Sequence, residues 1–379
     1  MRRGAAVLAP VLIAALLVAC AAPRGAPGPV ADLTPTGRPV EGTDEASLWA
    51  QADHAEDVVK RSPTVVRDPT LQGYVQTIVC RLAGSHCPGI RVYVVRHPEF
   101  GASMRPNGMM QVSTGLLLRT ANEAQLAYVL GHEIAHYLRR HSMQRWEDFQ
   151  AKAINLRGEI AGMAAFSRDQ EREADQLGFE LMVKSGYDRR QAPRAWERVM
   201  VETPTPGRGR GTSPVNPFLA THPPTAERFR SLTDQAEKTV TAASEPRVGR
   251  DDHLAHLRAI RGALLNDEVR RRQFASSEAL LRFLIEDGDG LGELHFYAGE
   301  IHRLRGAPGD LTSAVAAYQR ALTFPDAPPE TQRSLGLVHL RTGDRAAARD
   351  ALNRYLEQRP KAEDRDLIES EVAELARSR

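Results

Sequence analysis

The stretch of this 379-residue sequence best equipped for chemistry is His132-Glu133-Ile134-Ala135-His136. On a helix, residues four apart share a face, so the two imidazoles converge on one metal ion while Glu133 projects beside them, near a metal-bound water. Neutral nitrogens suit Zn²⁺, and a separate carboxylate that takes the proton of the water completes the parts of a hydrolase. Catalytic zinc keeps three protein ligands and an open position, so a further carboxylate or histidine must come from another element. The candidate segment is Ser167-Arg168-Asp169-Gln170-Glu171-Arg172-Glu173-Ala174-Asp175, in which Glu171 and Asp175 stand four apart on one helix face. Asp169 and Glu173 point elsewhere and are expected to be solvated. A purely structural zinc site is disfavoured, because such sites close their tetrahedron, commonly with Cys, and none lies near this motif.

The elements around these residues are mostly helical by pattern. Asn122 is an expected N-cap with Glu123 in the first turn, and the helix runs through Leu126, Leu130 and the histidine pair to about His141. Gly131 and Ala135 on it are small enough for close packing. The acidic segment opens a helix from roughly Arg168 to Ser185 that ends at Gly186. Upstream, apolar residues at helical spacing from Leu48 to Leu82, interrupted around Asp68-Pro69, predict two helices. Ile90 to Arg96 and Met109 to Thr114 predict strands, joined through a turn at Arg105-Pro106-Asn107-Gly108. The second strand precedes the motif helix at the distance expected of an edge strand, to which an extended polypeptide can add itself. Thr203 to Pro217, dense in Pro, Gly, Thr and Arg, reads as a mobile surface loop. After a break near Ala242 to Arg250 the pattern is almost entirely helical. There Ala298, Ala314, Tyr318 and Ala321 before Pro325, then Gly336, Ala348 and Leu352 before Pro360, fit two imperfect tetratricopeptide-like repeats, with a third helix pair at Leu254 to Ile285. The expected fold is mainly α with a small β-sheet.

Together the two motifs resemble the family of zinc peptidases that includes the CAAX prenyl proteases, HtpX and BepA, whose second motif, Glu-x-x-Ala-Asp, is matched by Glu171, Ala174 and Asp175. The resemblance covers roughly Leu48 to Leu232. It implies a zincin (gluzincin) metallopeptidase domain, followed here by an all-α tetratricopeptide-like domain, with one Zn²⁺ per subunit. Glu171 is then the third ligand and Asp175 an acceptor that orients a ligating imidazole. Thr221-His222-Pro223-Pro224-Thr225-Ala226-Glu227-Arg228 resembles the family's His-Pro-then-Arg element. By that likeness His222 stabilises the oxyanion or occupies the open zinc position as a reversible block, and Arg228 anchors substrate or a ligand carboxylate. Relatives carry Asn-Ala just before the hairpin, where this chain has Gly101-Ala102-Ser103. The implied activity is zinc-dependent endopeptidase action, with Glu133 as general base, on unfolded or misassembled proteins of the bacterial cell envelope, in outer-membrane protein quality control. Extended polypeptides are the implied substrates, and the C-terminal repeats the surface for outer-membrane assembly machinery. A periplasmic chaperone or assembly factor with a largely silent peptidase site is the alternative. His54, His86, His97 and His141 are given no ligand role, nor are the histidines of the helical tail.

A formal charge of +2, with no run of Lys and Arg interleaved with aromatics, gives no support to a nucleic-acid partner. Met1-Arg2-Arg3 followed by the apolar run Ala5 to Ala19 reads as a signal peptide over residues 1–19. Leu17-Val18-Ala19-Cys20 resembles the bacterial lipobox, so Cys20 is the expected lipidated N-terminus, and Ala21 after it favours the outer membrane by resemblance to enterobacterial sorting. Residues 20–46, rich in Pro, Gly and Ala, read as a flexible tether, 47–242 as the peptidase domain and 250–379 as the repeat domain. Cys80 and Cys87 are expected to form a disulfide in an oxidising compartment.

Overall fold

The computed structural model describes residues 32–33, 37–153, 166–202, 216–240 and 245–377. Cys20, the signal peptide and most of the expected loop from Thr203 to Pro217 lie outside these residues.

Local capping sets the first elements. Thr43 accepts from the Ala46 amide to open α1 (Asp44–Arg61), and Asp68 accepts from Thr70 and Leu71 to open α2 (Pro69–Ala83), with Pro69 in the first turn where its missing N–H costs nothing. Cys80 and Cys87 are bonded across the end of α2, as expected. The sheet consists of β1 (Arg91–Val95), β2 (Ala102–Met104) and β3 (Met109–Ser113) in the order β1-β3-β2. β1 runs parallel to β3, pairing Arg91 with Met109 through to Val95 with Ser113, while β2 runs antiparallel to β3. The expected edge strand at Met109 is therefore the central strand. Met109, Met110, Val112 and Ser113 are all buried, and the edge toward the motif helix belongs to β2. β2 has only three residues beside Gly101, too short for alternation to mark it.

Ser113 caps α3 (Thr114–Arg119), and Asn122 caps α4 (Glu123–Leu138) by accepting from the Gln125 amide. α4 stops three residues earlier than expected. Arg140 turns left-handed (φ 53°), and His141 opens a separate helix, α5 (His141–Ala153). A capping box between Ser167 and Gln170 starts α6 (Arg168–Lys184), which ends at Gly186 (φ 81°) as expected. α7 (Gln191–Glu202), α8 (Pro217–Thr221) and α9 (Ala226–Lys238) complete this part, whose core joins Leu71, Val75 and Ile78 of α2 to Val94, Val112, Leu126, Leu130, Phe179 and Trp196.

α10 (Arg250–Arg258), α11 (Arg261–Arg270) and α12 (Phe274–Asp287) stand where a helix pair was expected, so that segment holds three helices. Two helical hairpins follow, α13 (Leu291–Arg305) with α14 (Asp310–Ala321) and α15 (Glu330–Thr342) with α16 (Arg345–Gln358), then α17 (Arg365–Arg377). In the first hairpin the small residue at the crossing is Gly299, one beyond Ala298. A Cβ there would lie 2.4 Å from the Tyr318 ring, and one at Gly336 2.7 Å from Leu352 in the second. α10 packs on α2 and α4, and its Leu257 belongs to the same core as Leu71.

Candidate active site

The site depends on how closely α4 and α6 cross. Gly131 and Gly178 meet there: a Cβ on Gly178 would sit 2.7 Å from the His132 backbone nitrogen, and one on Gly131 3.0 Å from the Gly178 carbonyl oxygen. That contact carries Glu171 and Asp175 on α6 to His132 and His136 on α4. His222 arrives from the end of α8, and Arg228 from the first turn of α9, whose N-cap is Thr225.

Ligand-type atoms of His132, His136, Glu171 and His222 all lie within 4.8 Å of one another, and all four residues are buried. His132 Nε2 is 3.1 Å from His136 Nε2, 3.3 Å from His222 Nδ1 and 3.6 Å from Glu171 Oε2. Glu171 Oε1 is 3.3 Å from His136 Nε2 and 2.9 Å from His222 Nδ1. Tetrahedral zinc with bonds of roughly 2.0–2.1 Å places its ligand atoms roughly 3.3 Å apart. The spacing and the donor set of imidazoles with one carboxylate fit that ion. Glu133 Oε1, buried and without a hydrogen-bond partner, lies 3.6 Å from His222 Nε2 at the margin of the cluster.

A second layer of polar groups fixes the cluster. Asp175 Oδ1 is 3.0 Å from His132 Nδ1 and accepts from the Tyr128 hydroxyl at 2.7 Å. Arg228 donates to Asp175 from Nε and Nη2, each at 2.7 Å, and pairs with Glu171 Oε2 through Nη1, also at 2.7 Å, while its guanidinium lies over the Trp196 ring. Arg228 thus contacts both carboxylates. Burial by itself would raise the Glu171 and Asp175 carboxyls, but contacts from His136 and His222 to the first, and from Arg228 and His132 to the second, hold both well below the usual range. Burial does raise the Glu133 carboxyl, the direction that suits a group meant to accept a proton near neutral pH.

His141 and Glu173, given no role by sequence, also join the site. His141 is fully buried, with Nδ1 2.8 Å from His136 Nδ1 and Nε2 3.2 Å from Glu173 Oε2. Glu173 is therefore not simply solvated: its other oxygen meets Arg139 Nε at 3.0 Å. Spacing could not reveal this, because residues five apart do not share a face of a continuous helix. Phe166 stacks on His136 and Phe218 on His222, closing the cluster with aromatic rings.

Residues 66–156 and 146–236 match the sequence profile of Peptidase family M48. The matched span holds His132, His136, Glu171 and His222, whose imidazoles and carboxylate are the donor set that zinc takes. The chain is 27% identical over 253 residues to a putative beta-barrel assembly-enhancing protease of Vibrio cholerae serotype O1, covering 58% of this chain and 50% of the relative. The Escherichia coli K12 beta-barrel assembly-enhancing protease is 26% identical over 235 residues, 53% and 46% of the two chains. The mitochondrial metalloendopeptidase OMA1 of Arabidopsis thaliana is 30% identical over 167 residues, 40% and 33%. The chain spans half or less of the length of each of these relatives.

Proposed function

We propose that this protein is a zinc-dependent endopeptidase of the bacterial cell envelope that cleaves extended segments of unfolded or misassembled proteins, with His132, His136 and Glu171 as zinc ligands. The observation that carries the reading is the cluster of buried ligand atoms within 4.8 Å of one another, beside a Glu133 Oε1 that has no hydrogen-bond partner. Zinc held there supplies polarisation of the scissile carbonyl and acidification of a water. Glu133 takes that water's proton and passes it to the leaving amine. Asp175, fixed by Arg228 and Tyr128, holds His132 in the tautomer whose Nε2 faces the metal. The outer edge of β2 offers backbone groups to a substrate strand, a mode indifferent to sequence and suited to unfolded chains.

His222 lies within the same set of ligand atoms, where it would take the position that a substrate carbonyl would need. We therefore read it as a resting block that must swing away before cleavage. The same closure favours a second reading, an assembly factor with a mostly silent site, in line with relatives named as beta-barrel assembly-enhancing proteases. The proposal extends to a lipid on Cys20 holding the chain at the outer membrane, to a peptidase domain over 47–242, and to tetratricopeptide-like repeats over 250–379 that dock on outer-membrane assembly machinery. Among the described residues no helix is long and apolar enough to cross a membrane.

The experiment is Glu133→Gln. The variant is expected to retain stoichiometric zinc and to lose casein cleavage by about 10²-fold or more; undiminished proteolysis in a clean preparation overturns the mechanism. If the same variant still supports outer-membrane assembly in cells, the second reading prevails.

A further inference from the structure

A metal-binding imidazole needs a partner on its remote nitrogen, to fix which nitrogen carries the proton and which way the ring faces. For His132 that partner is the Asp175 carboxylate. His136 is served differently. Its Nε2 faces His132 and Glu171, so its proton belongs on Nδ1, and what lies 2.8 Å from Nδ1 is the Nδ1 of His141. His141 can accept there only with its own proton on Nε2, and Nε2 lies 3.2 Å from Glu173 Oε2. His141 is fully buried, so both of its ring nitrogens must find partners inside the protein, and His136 and Glu173 are those partners. Glu173 is held in turn by Arg139, and 46% of its side chain is exposed. The chain of contacts therefore runs from the metal cluster to the protein surface.

The backbone is built for this contact. On an unbroken helix, residue 141 would sit roughly 140° around the axis from residue 136 and could not reach it. The left-handed turn at Arg140 ends α4 and restarts the chain as α5, with the Met143 and Gln144 amides bonding to the Arg140 carbonyl, and this swings His141 back over His136. Phe166, stacked on the face of the His136 ring at 4.0 Å between ring centroids, leaves that ring little freedom.

We infer that His141 is the positioning residue for His136, that Glu173 sets its tautomer, and that the left-handed turn at Arg140 exists to place it. This rests on His136 being a zinc ligand, and the test separates the two ideas. In the full-length protein, zinc affinity is measured by competition with a chromophoric chelator, and the ligand field by the visible spectrum after cobalt substitution. His141→Phe keeps the ring volume and removes the acceptor; it is expected to weaken zinc binding roughly 10–100-fold and to shift the cobalt bands. His141→Asn, whose Oδ1 stands close to where Nδ1 was, is expected to restore most of the affinity and the wild-type spectrum. Glu173→Leu is expected to cost about tenfold, at the lower end of such effects. Wild-type affinity and spectrum in His141→Phe overturn the inference while leaving the zinc site intact, whereas a wild type that binds no zinc overturns the functional reading itself. Should His141→Phe fail to fold, Glu173→Leu decides from the surface: wild-type affinity and spectrum in it overturn the chain, and the expected loss upholds it.

Discussion

His222 is the residue whose chemistry is least settled by its type. An imidazole near a catalytic metal can aid the oxyanion or shut the site, and the two roles need different positions. Its Nδ1 lies 2.9 Å from Glu171 Oε1 and 3.3 Å from His132 Nε2, inside the same set of ligand atoms, where a blocking ligand would have to be. An oxyanion helper would stand beyond the ligand shell. If His222 closes the site about nine-tenths of the time, the open fraction limits activity to about a tenth, and removing the ring raises cleavage about tenfold. His222→Ala is accordingly expected to keep zinc on three ligands, with reduced affinity, and to degrade casein faster than wild type; a slower variant with full zinc assigns His222 to the oxyanion instead. Little of this was legible in sequence. His132, Glu133 and His136 declare themselves because their spacing fits one helix turn, whereas His222 and Arg228 sit far along the chain and are reached only through likeness to a family element.

At the scale of elements, the crossing of α4 and α6 converts two local motifs into one site. Each helix is legible alone, α4 from its Asn122 cap and α6 from its stop at Gly186, because helix ends are set by local chemistry, while the Ser167–Gln170 capping box that opens α6 appears only in the structure. The order of strands is not, since sheet order depends on contacts distant in sequence: Met109 to Ser113 is recognisable as a strand, yet nothing in its composition says that β2 shields it. The break at Arg140 is also hidden, as an arginine in a left-handed turn leaves no compositional mark. The small residue Gly131 is legible as a contact, while its counterpart Gly178 becomes evident only in three dimensions. A methyl group on Gly178 would press on the His132 backbone at 2.7 Å, in a place where both neighbours are main chain and cannot rotate away. Gly178→Ala is expected to destabilise the fold by about 1–3 kcal/mol, as overpacking does, and to weaken zinc binding because Glu171 and Asp175 move with α6. Urea unfolding and chelator competition measure the two losses; a variant that keeps both values shows that the crossing can relax without cost.

Across the whole molecule, the helical tail and the catalytic part are joined by polar contacts, some of them buried. The connecting segment lends the Val248 and Gly249 carbonyls to the Ala124 and Glu123 amides at the start of α4, and Arg247 donates to Glu123 Oε1 at 2.7 Å. Arg119 on α3 bonds Glu202 of α7 and Glu268 of α11, all three being buried. On α10, His253 is fully buried, with Nδ1 3.0 Å from the Tyr74 hydroxyl and Nε2 3.2 Å from the Leu117 carbonyl oxygen. Burial lowers its pKa to about 4 from an ordinary 6.5, against weaker upward pulls from backbone contacts and Glu123. The folded state therefore resists the proton that the unfolded chain accepts. Because the folded pKa is the lower one, the contribution is complete above pH 6.5 and shrinks as pH falls from 6.5 toward 4, where it levels off. Integrated to pH 5, this one residue removes about 2 kcal/mol, a loss that begins before most carboxylates titrate. Urea midpoints at pH 7 and pH 5 should thus differ by more in the wild type than in His253→Gln, which has nothing to protonate and keeps polar atoms for Tyr74 and Leu117. Equal differences in the two proteins would mean that burial between α2, α3 and α10 does not hold His253 below its ordinary pKa.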